Sequence, residues 1–275
     1  MPEGHTIHRL ARRQSADLVG QVVAVTSPQA ASGSTVRAAA PAGHAAEALD
    51  GRRLEGIDAY GKHLLHRYED GLTLHVHLGL FGRFVRRPDP DGVPARETCR
   101  LRIRGDELAW DLSGAVASKV LDPPQEDELL ARLGPDPLRE DGDPERFAAA
   151  LARRRIPIAA ALMDQSVLAG VGNVYRAESL FAVGLDPHTP SRDVPQTTVA
   201  DLWQTLRVQL RDGERAGKIV TVPADEADVP RSKLRGRDRV QVYRRDACRR
   251  CGGPVSHEQL VGRTLWWCPS CQPAR

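Results

Sequence analysis

No stretch of this 275-residue chain is apolar for long enough to span a bilayer, which takes about 20 residues, and no signal-peptide core follows Met1. The expectation is a cytoplasmic, nucleoid-associated protein with no membrane segment. There is no internal repeat and no long low-complexity segment, so solenoid and fibrous architectures are set aside. Net charge is only +3, too little to name a partner by itself. Hydrophobic content of 41% with 27% charged residues is that of a globular protein, and the length fits one large domain or two ordinary ones.

The distribution of charge says more than its sum. Residues 231–275 carry eleven Arg/Lys against three acids, a local charge of +8, which leaves −5 on residues 1–230. A basic end on an otherwise acidic chain is an electrostatic footprint for nucleic acid. Of the five cysteines, Cys248, Cys251, Cys268 and Cys271 form C-x2-C-x16-C-x2-C. Two close pairs flanking a ribbon-length spacer match a tetrahedral all-cysteine zinc site. With cysteine at all four positions no water can be activated, so one structural Zn2+ is expected. Cys99 lies in an alternating stretch and reads as an inert, half-buried core thiol.

The start, Met1-Pro2-Glu3-Gly4, offers a nucleophile. Once Met1 is trimmed, Pro2 presents a secondary amine with an ordinary pKa of about 7.7–8.0. Its adduct with an aldehyde carbon is a cationic iminium, an electron sink that needs no further protonation. Glu3 places a carboxyl group beside it for acid-base help.

Residues 5–18 have apolar positions near helical spacing and predict an amphipathic helix closed by Gly20. Residues 21–110 read as strands: Val22–Thr26, Arg53–Tyr60, His63–Tyr68, Thr73–Leu78, Gly82–Arg86, Arg100–Arg104 and Glu107–Leu112. Such short, turn-punctuated runs predict a β-sandwich. Residues 29–46 are Ala/Gly/Ser-rich and read as a flexible loop. The Pro/Gly/acid-rich segment from Lys119 to Arg146 reads as a connector with one short helix at Glu126–Leu133. Helices follow at Arg146–Arg154, Ala159–Gln165, Val174–Ala182 and Val199–Ala216. Gly170-Val171-Gly172-Asn173 makes a tight turn whose backbone amides can cradle a phosphate. Residues Ile219–Arg237 read as a mobile loop, and Val240–Cys271 as two β-hairpins around the metal.

Four anchors in order carry a family resemblance over nearly the whole chain: Met1-Pro2-Glu3-Gly4, Tyr60-Gly61-Lys62-His63-Leu64-Leu65, the run from Leu168 to Glu178, and the four-cysteine finger with Gly262-Arg263-Thr264. Together they resemble the bifunctional DNA glycosylase/AP lyases that include formamidopyrimidine-DNA glycosylase and endonuclease VIII. The resemblance implies an α+β fold. An N-terminal β-sandwich with an N-terminal helix (1–121) leads through a linker (122–145) to a helix-two-turn-helix domain (146–236) and a zinc finger (237–275).

It also implies roles. Pro2 is the nucleophile toward C1′ of the damaged nucleotide, and Glu3 the acid/base. Lys62 contacts phosphate beside the lesion, and His77 approaches phosphate, whereas His75 reads equally well as a surface residue without a role. Asn173 and Arg263 grip the DNA backbone. The partner implied is damaged double-stranded DNA, bound by a monomer. A stacked base cannot expose C1′ to an amine, so the nucleotide is flipped out and something fills the gap. Leu80 and Phe81 are the candidates, with burial in the sandwich core as the alternative.

The chain departs from the family pattern where His5-Thr6 replaces the usual Pro-Glu, which puts base excision in question more than lyase activity. Gly4, and the absence of an Arg-Arg-Phe wedge in residues 111–116, lean toward the endonuclease VIII branch and oxidised pyrimidines. The alternatives are an 8-oxoguanine/formamidopyrimidine glycosylase and a non-catalytic lesion-binding protein.

Overall fold

The computed structural model describes residues 2–28, 40–88 and 94–274. They pack as two compact units: Ile7–Arg132 together with Pro2, and Glu3–Thr6 together with the chain from Leu133 onward.

Helix α1 (Gly4–Leu18) belongs to the first unit from Ile7 onward, and its apolar stripe buries Ile7, Ala11 and Leu18. Its Asp17 accepts from the Arg86 guanidinium at 2.8 Å and from Trp110 Nε1 at 3.0 Å, and those donors hold its carboxyl below the usual carboxylate range. Gly20 ends the helix with φ +89, a conformation that glycine adopts without strain.

The strands are β1 (Val22–Thr26), β2 (Arg52–Tyr60), β3 (His63–Tyr68), β4 (Thr73–His77), β5 (Arg83–Arg87), β6 (Cys99–Arg104), β7 (Ala109–Ser113) and β8 (Ala117–Leu121). All pairings are antiparallel, in the order β5-β7-β6-β1-β2-β3-β4-β8. The pairs Val22↔Arg53 and Val23↔Arg52 join the two four-stranded halves. The halves fold face to face: Phe84 on β5 and His66 on β3, far apart in the strand order, have ring centres 5.9 Å apart. Val25, Leu64, Val76, Ile103 and Leu112 fill the space between. Each such side chain contributes about 1.5–3 kcal/mol by leaving water. The predicted β-sandwich is present, and Cys99, expected half-buried, is fully buried, its thiol pushed up to about 12 by that burial.

Several expectations change. Of the stretch 29–46, residues 29–39 lie outside the described residues, but Ala40–Leu49 is a helix, α2, not a loop. Its alanines favour helix, and Ala45 and Leu49 are buried in the sandwich core. Strand β8 went unrecognised because the connector composition begins at Lys119; it completes the sheet against β4. Next comes α3 (Pro123–Ala131), started by a capping box between Asp122 and Gln125. Glu126 on α3 accepts from Arg67 at 2.6 Å and from Thr73, so the first part of the expected linker packs within the first unit.

The second unit contains α4 (Pro144–Ala152), capped by Asp143 with Pro144 in its first turn, as the sequence predicts. The helix expected at 159–165 is a single turn, α5 (Ile158–Ala161). Helices α6 (Asn173–Ala182) and α7 (Gln196–Ala216) follow, and the core is built from Phe147, Leu151, Leu162, Trp203 and Leu206. The stretch Ile219–Arg237, expected as a mobile loop, carries its own apolar cluster of Val220, Val222 and Leu234, and Arg231 donates to Asp212 at 2.8 Å. One hairpin, not two, follows: β9 (Ser256–Leu260) and β10 (Arg263–Trp267). The first cysteine pair sits instead in turns joined by a single Ala247–Pro254 bridge. No helix among the described residues is long and apolar enough to cross a membrane.

Candidate active site

A helix start leaves backbone N–H groups without partners and carries partial positive charge. At α6 an anion does occupy that cradle, and it belongs to the protein. Glu3, fully buried, accepts from Gly172 N at 2.9 Å, Val174 N at 3.0 Å and Tyr175 N at 3.4 Å. The phosphate-binding role expected of these amides is thus taken by a carboxylate, in the second unit's own packing. Two glycines permit it. A Cβ on Gly172 would stand 2.5 Å from Glu3 Cδ, and one on Gly4 would stand 3.0 Å from Gly170 Cα. Gly4 N also donates to Gly170 O at 2.8 Å. Pro2, half-buried, groups with the first unit, and Glu3 follows it directly in the chain.

In the first unit Lys62 sits in the tight turn between β2 and β3, half-buried, beside Gly61 with φ +58. Register places His63 directly opposite His77, and His75 two residues before His77 on the same face. His75 is buried, not a surface residue, and its Nε2 lies 2.8 Å from His63 Nδ1. Burial first, and then the neighbouring rings, pull His63 down to about 3 and His75 to about 4; burial and Lys62 lower His77. The strand then turns tightly, with Gly82 N donating to Leu78 O at 2.9 Å. Leu78 is buried, but Leu80 is 40% and Phe81 85% exposed, so core burial is excluded for this pair. Val116, 73% exposed, stands against the same turn, because a Cβ on Gly79 would meet its Cγ2 at 2.1 Å. Sequence reasoning missed Val116, which no periodicity distinguished.

In the second unit Asn173 is buried, and both ends of its amide are engaged. Nδ2 donates to Thr264 O at 2.9 Å, and Oδ1 accepts from Arg176. Arg176, also fully buried, donates to Thr264 O at 3.2 Å, and burial draws its pKa down to about 10. Asn173 and Arg176 therefore fix the hairpin end that carries Arg263. Arg176 was not foreseen, since a lone helical Arg ordinarily reads as solvated. Glu178, two residues on and also buried, accepts from the backbone of Gln241, Val242 and Tyr243 at 2.7–2.9 Å, which clamps the chain entering the finger.

The four finger thiols lie within 4.8 Å of one another. Cys248 and Cys271 sulfurs are 3.9 Å apart, and those of Cys251 and Cys268 are 3.5 Å apart. A zinc tetrahedron with Zn–S bonds of about 2.3 Å has edges of roughly 3.8 Å, so the residues fit the ion.

The site residues therefore form three constellations: Glu3 in the α6 cradle, Lys62 with three histidines and the apolar turn, and Arg263 with the finger. Three family models match the chain: the formamidopyrimidine-DNA glycosylase N-terminal domain over residues 1–113, its H2TH domain over 133–223, and the zinc finger found in FPG and IleRS over 246–274. Endonuclease 8 1 of Mycobacterium tuberculosis is 42% identical, with 99% of this chain and 100% of that protein covered. Probable endonuclease 8 2 of Streptomyces coelicolor is 34% identical, over 99% of this chain and 94% of the relative. Among solved structures, the complex of Lactococcus lactis Fpg with DNA containing N7-benzyl-Fapy-dG superposes with a TM-score of 0.80 at 21% identity, covering 99% of this chain and 100% of that one. This likeness is one of fold.

Proposed function

Because the chain belongs to the formamidopyrimidine-DNA glycosylase/endonuclease 8 family, we propose that it is an endonuclease 8-like DNA glycosylase and AP lyase of base excision repair. Its substrates are oxidised pyrimidines and abasic sites in double-stranded DNA, and it works as a monomer with one structural zinc held by Cys248, Cys251, Cys268 and Cys271. The observation that carries this reading is the three-amide cradle holding Glu3 next in sequence to Pro2. A carboxylate fixed by rigid backbone donors is preorganised for proton transfer.

Pro2, freed of Met1, attacks C1′ of the flipped nucleotide, and the base leaves. Opening of the sugar ring gives an iminium. Loss of a C2′ proton then expels the 3′ phosphate, and a further elimination expels the 5′ phosphate. Glu3 serves the proton transfers. Lys62 and His77 hold phosphate beside the lesion, while Leu80 and Phe81 occupy the gap left by the flipped base. Arg263 grips the backbone, and Asn173 supports that grip through Thr264.

Reduction with sodium borohydride in the presence of duplex bearing thymine glycol or an abasic site tests the reading. A covalent protein–DNA adduct through Pro2 is expected on both, and its absence on both refutes the proposal. Stronger trapping on 8-oxoguanine than on 5-hydroxyuracil would move the enzyme to the formamidopyrimidine branch. Retention of Met1, read by intact mass, would block the amine and favour a non-catalytic lesion-binding protein.

A further inference from the structure

The imidazoles of His63, His75 and His77 share one face of β3 and β4, the face turned away from the sandwich core. Their positions follow from register alone. A His-x-His pair on one strand points both rings the same way, and a histidine directly across the ladder adds a third. The ring centres of His63 and His75 are 5.0 Å apart and stacked; those of His63 and His77 are 5.2 Å apart. None of the steps assigned above to Lys62 and His77 uses His63 or His75.

We propose that His63, His75 and His77 form a second, reversible metal site, for a borderline transition-metal dication of the zinc, cobalt or nickel type. Neutral imidazole is the ligand such ions prefer, and burial lowers all three rings below their ordinary 6.5, which favours that form. Two nitrogens already converge: His63 Nδ1 and His75 Nε2 lie 2.8 Å apart, joined by a hydrogen bond. A metal between them needs a separation of roughly 3.3 Å, from metal–nitrogen distances of about 2.0–2.1 Å. That is a shift of about half an ångström, made as the hydrogen bond gives way. The third nitrogen is not yet in place. Among the described residues only the four cysteines form a ligand group with all donors within 4.8 Å, so His77 must rotate about its side-chain bonds to close the site.

Charge sets the strength. The ammonium groups of Lys62 on the β2–β3 turn and Lys119 on β8 oppose a dication, whereas the Glu126 carboxylate on α3 favours it. The balance makes the ion a weak, exchangeable ligand and not a resident one. If His77 and Lys62 hold phosphate as proposed, metal and DNA exclude one another at this face. That corollary alone rests on the proposed function.

The test adds Co(II) to the zinc-loaded, full-length protein. The expected result is visible d–d absorption saturating at one equivalent without the near-ultraviolet band of cobalt–thiolate charge transfer. His63→Gln and His75→Gln should each weaken that binding by roughly tenfold or more. No visible band, a band unchanged in both variants, or a thiolate band from metal entering the finger would each overturn the proposal. Should the variants fail to fold, paramagnetic broadening in the wild-type protein decides the matter: His63, His75 and His77 imidazole signals must broaden before those of the other six histidines. Broadening elsewhere first overturns the site. Affinity for an abasic-analogue duplex should fall as Co(II) fills the site, and in His63→Gln it should not. Equal affinity with and without metal removes the exclusion. A protein that binds no DNA at all would count against the proposed function, whereas the metal site would still stand or fall on the cobalt spectrum.

Discussion

Substituting Gly172 by alanine isolates what the α6 cradle does for Glu3. The backbone there has φ −123 and ψ −162, an extended conformation open to any residue, so the substitution introduces no backbone strain. All of its effect is steric. The new Cβ would lie 2.5 Å from Glu3 Cδ, 2.7 Å from Cγ and 2.8 Å from Oε1. Ordinary contact begins near 3.4 Å, so the carboxylate must retreat by about 1 Å. Its amide partners at 2.9, 3.0 and 3.4 Å would then be stretched or lost. A hydrogen bond to a charged group contributes about 1.5–3 kcal/mol, so losing one or two costs about 1.5–6 kcal/mol of stability. Displacing a reacting group by about 1 Å costs roughly 100-fold in rate. Single-turnover excision and thermal melting measure both. Glu3→Gln supplies the control through a double-mutant cycle. If Gly172→Ala acts through Glu3, it costs almost nothing further in rate once Glu3 is Gln. Wild-type rate and melting temperature in Gly172→Ala, or full additivity with Glu3→Gln, would refute the reasoning.

Three further outcomes follow from the same geometry. Lys62→Ala and Arg263→Ala should each weaken DNA binding and reduce the slope of log K against log salt by about 1; an unchanged slope in either removes that residue from the phosphate contacts. A chelator that strips the zinc should unfold the finger and abolish DNA binding while the sandwich keeps its amide-exchange protection; full affinity in verified zinc-free protein would contradict this. Burial lowers His66 from its ordinary 6.5 to about 4, so its neutral form is stabilising above pH 6.5 and that contribution is lost as pH falls toward 4. At pH 5 the loss is about 2 kcal/mol, and His66→Gln, which can still bond Gln14, should show urea unfolding less sensitive to acid by that amount; equal sensitivity would contradict it.

What was legible in the chain was whatever short-range pattern dictates. The two close cysteine pairs foretold the metal because ligand geometry constrains their spacing. Asp143-Pro144 foretold a helix start because a cap and a preset φ act locally. Helix α2 was hidden because an alanine-rich run has no apolar periodicity to read, and its burial is decided by the sheet it covers. Strand β8 was hidden by the prolines that follow it. Glu3 in the α6 cradle joins residues 169 positions apart, and the His63–His75 bond depends on strand register. Neither has a local signature. Arg176 and Glu178 are charged residues with no local pattern that marks burial, yet both are buried. Polar residues that bind distant backbone look, in sequence, like ordinary surface.

The second packing unit is not continuous in sequence: it draws Glu3–Thr6 from the opposite end of the chain. Expressed from residue 133 onward, it would lack the one carboxylate that satisfies the amides of Gly172, Val174 and Tyr175. It is therefore not a cassette that gene fusion could transplant intact. A fusion that keeps residues 133–275 without Glu3–Thr6 would inherit the finger and the helices without that carboxylate. Any recombinant form of residues 133–275 therefore has to carry Glu3–Thr6 with it, four residues far off in sequence that complete its packing.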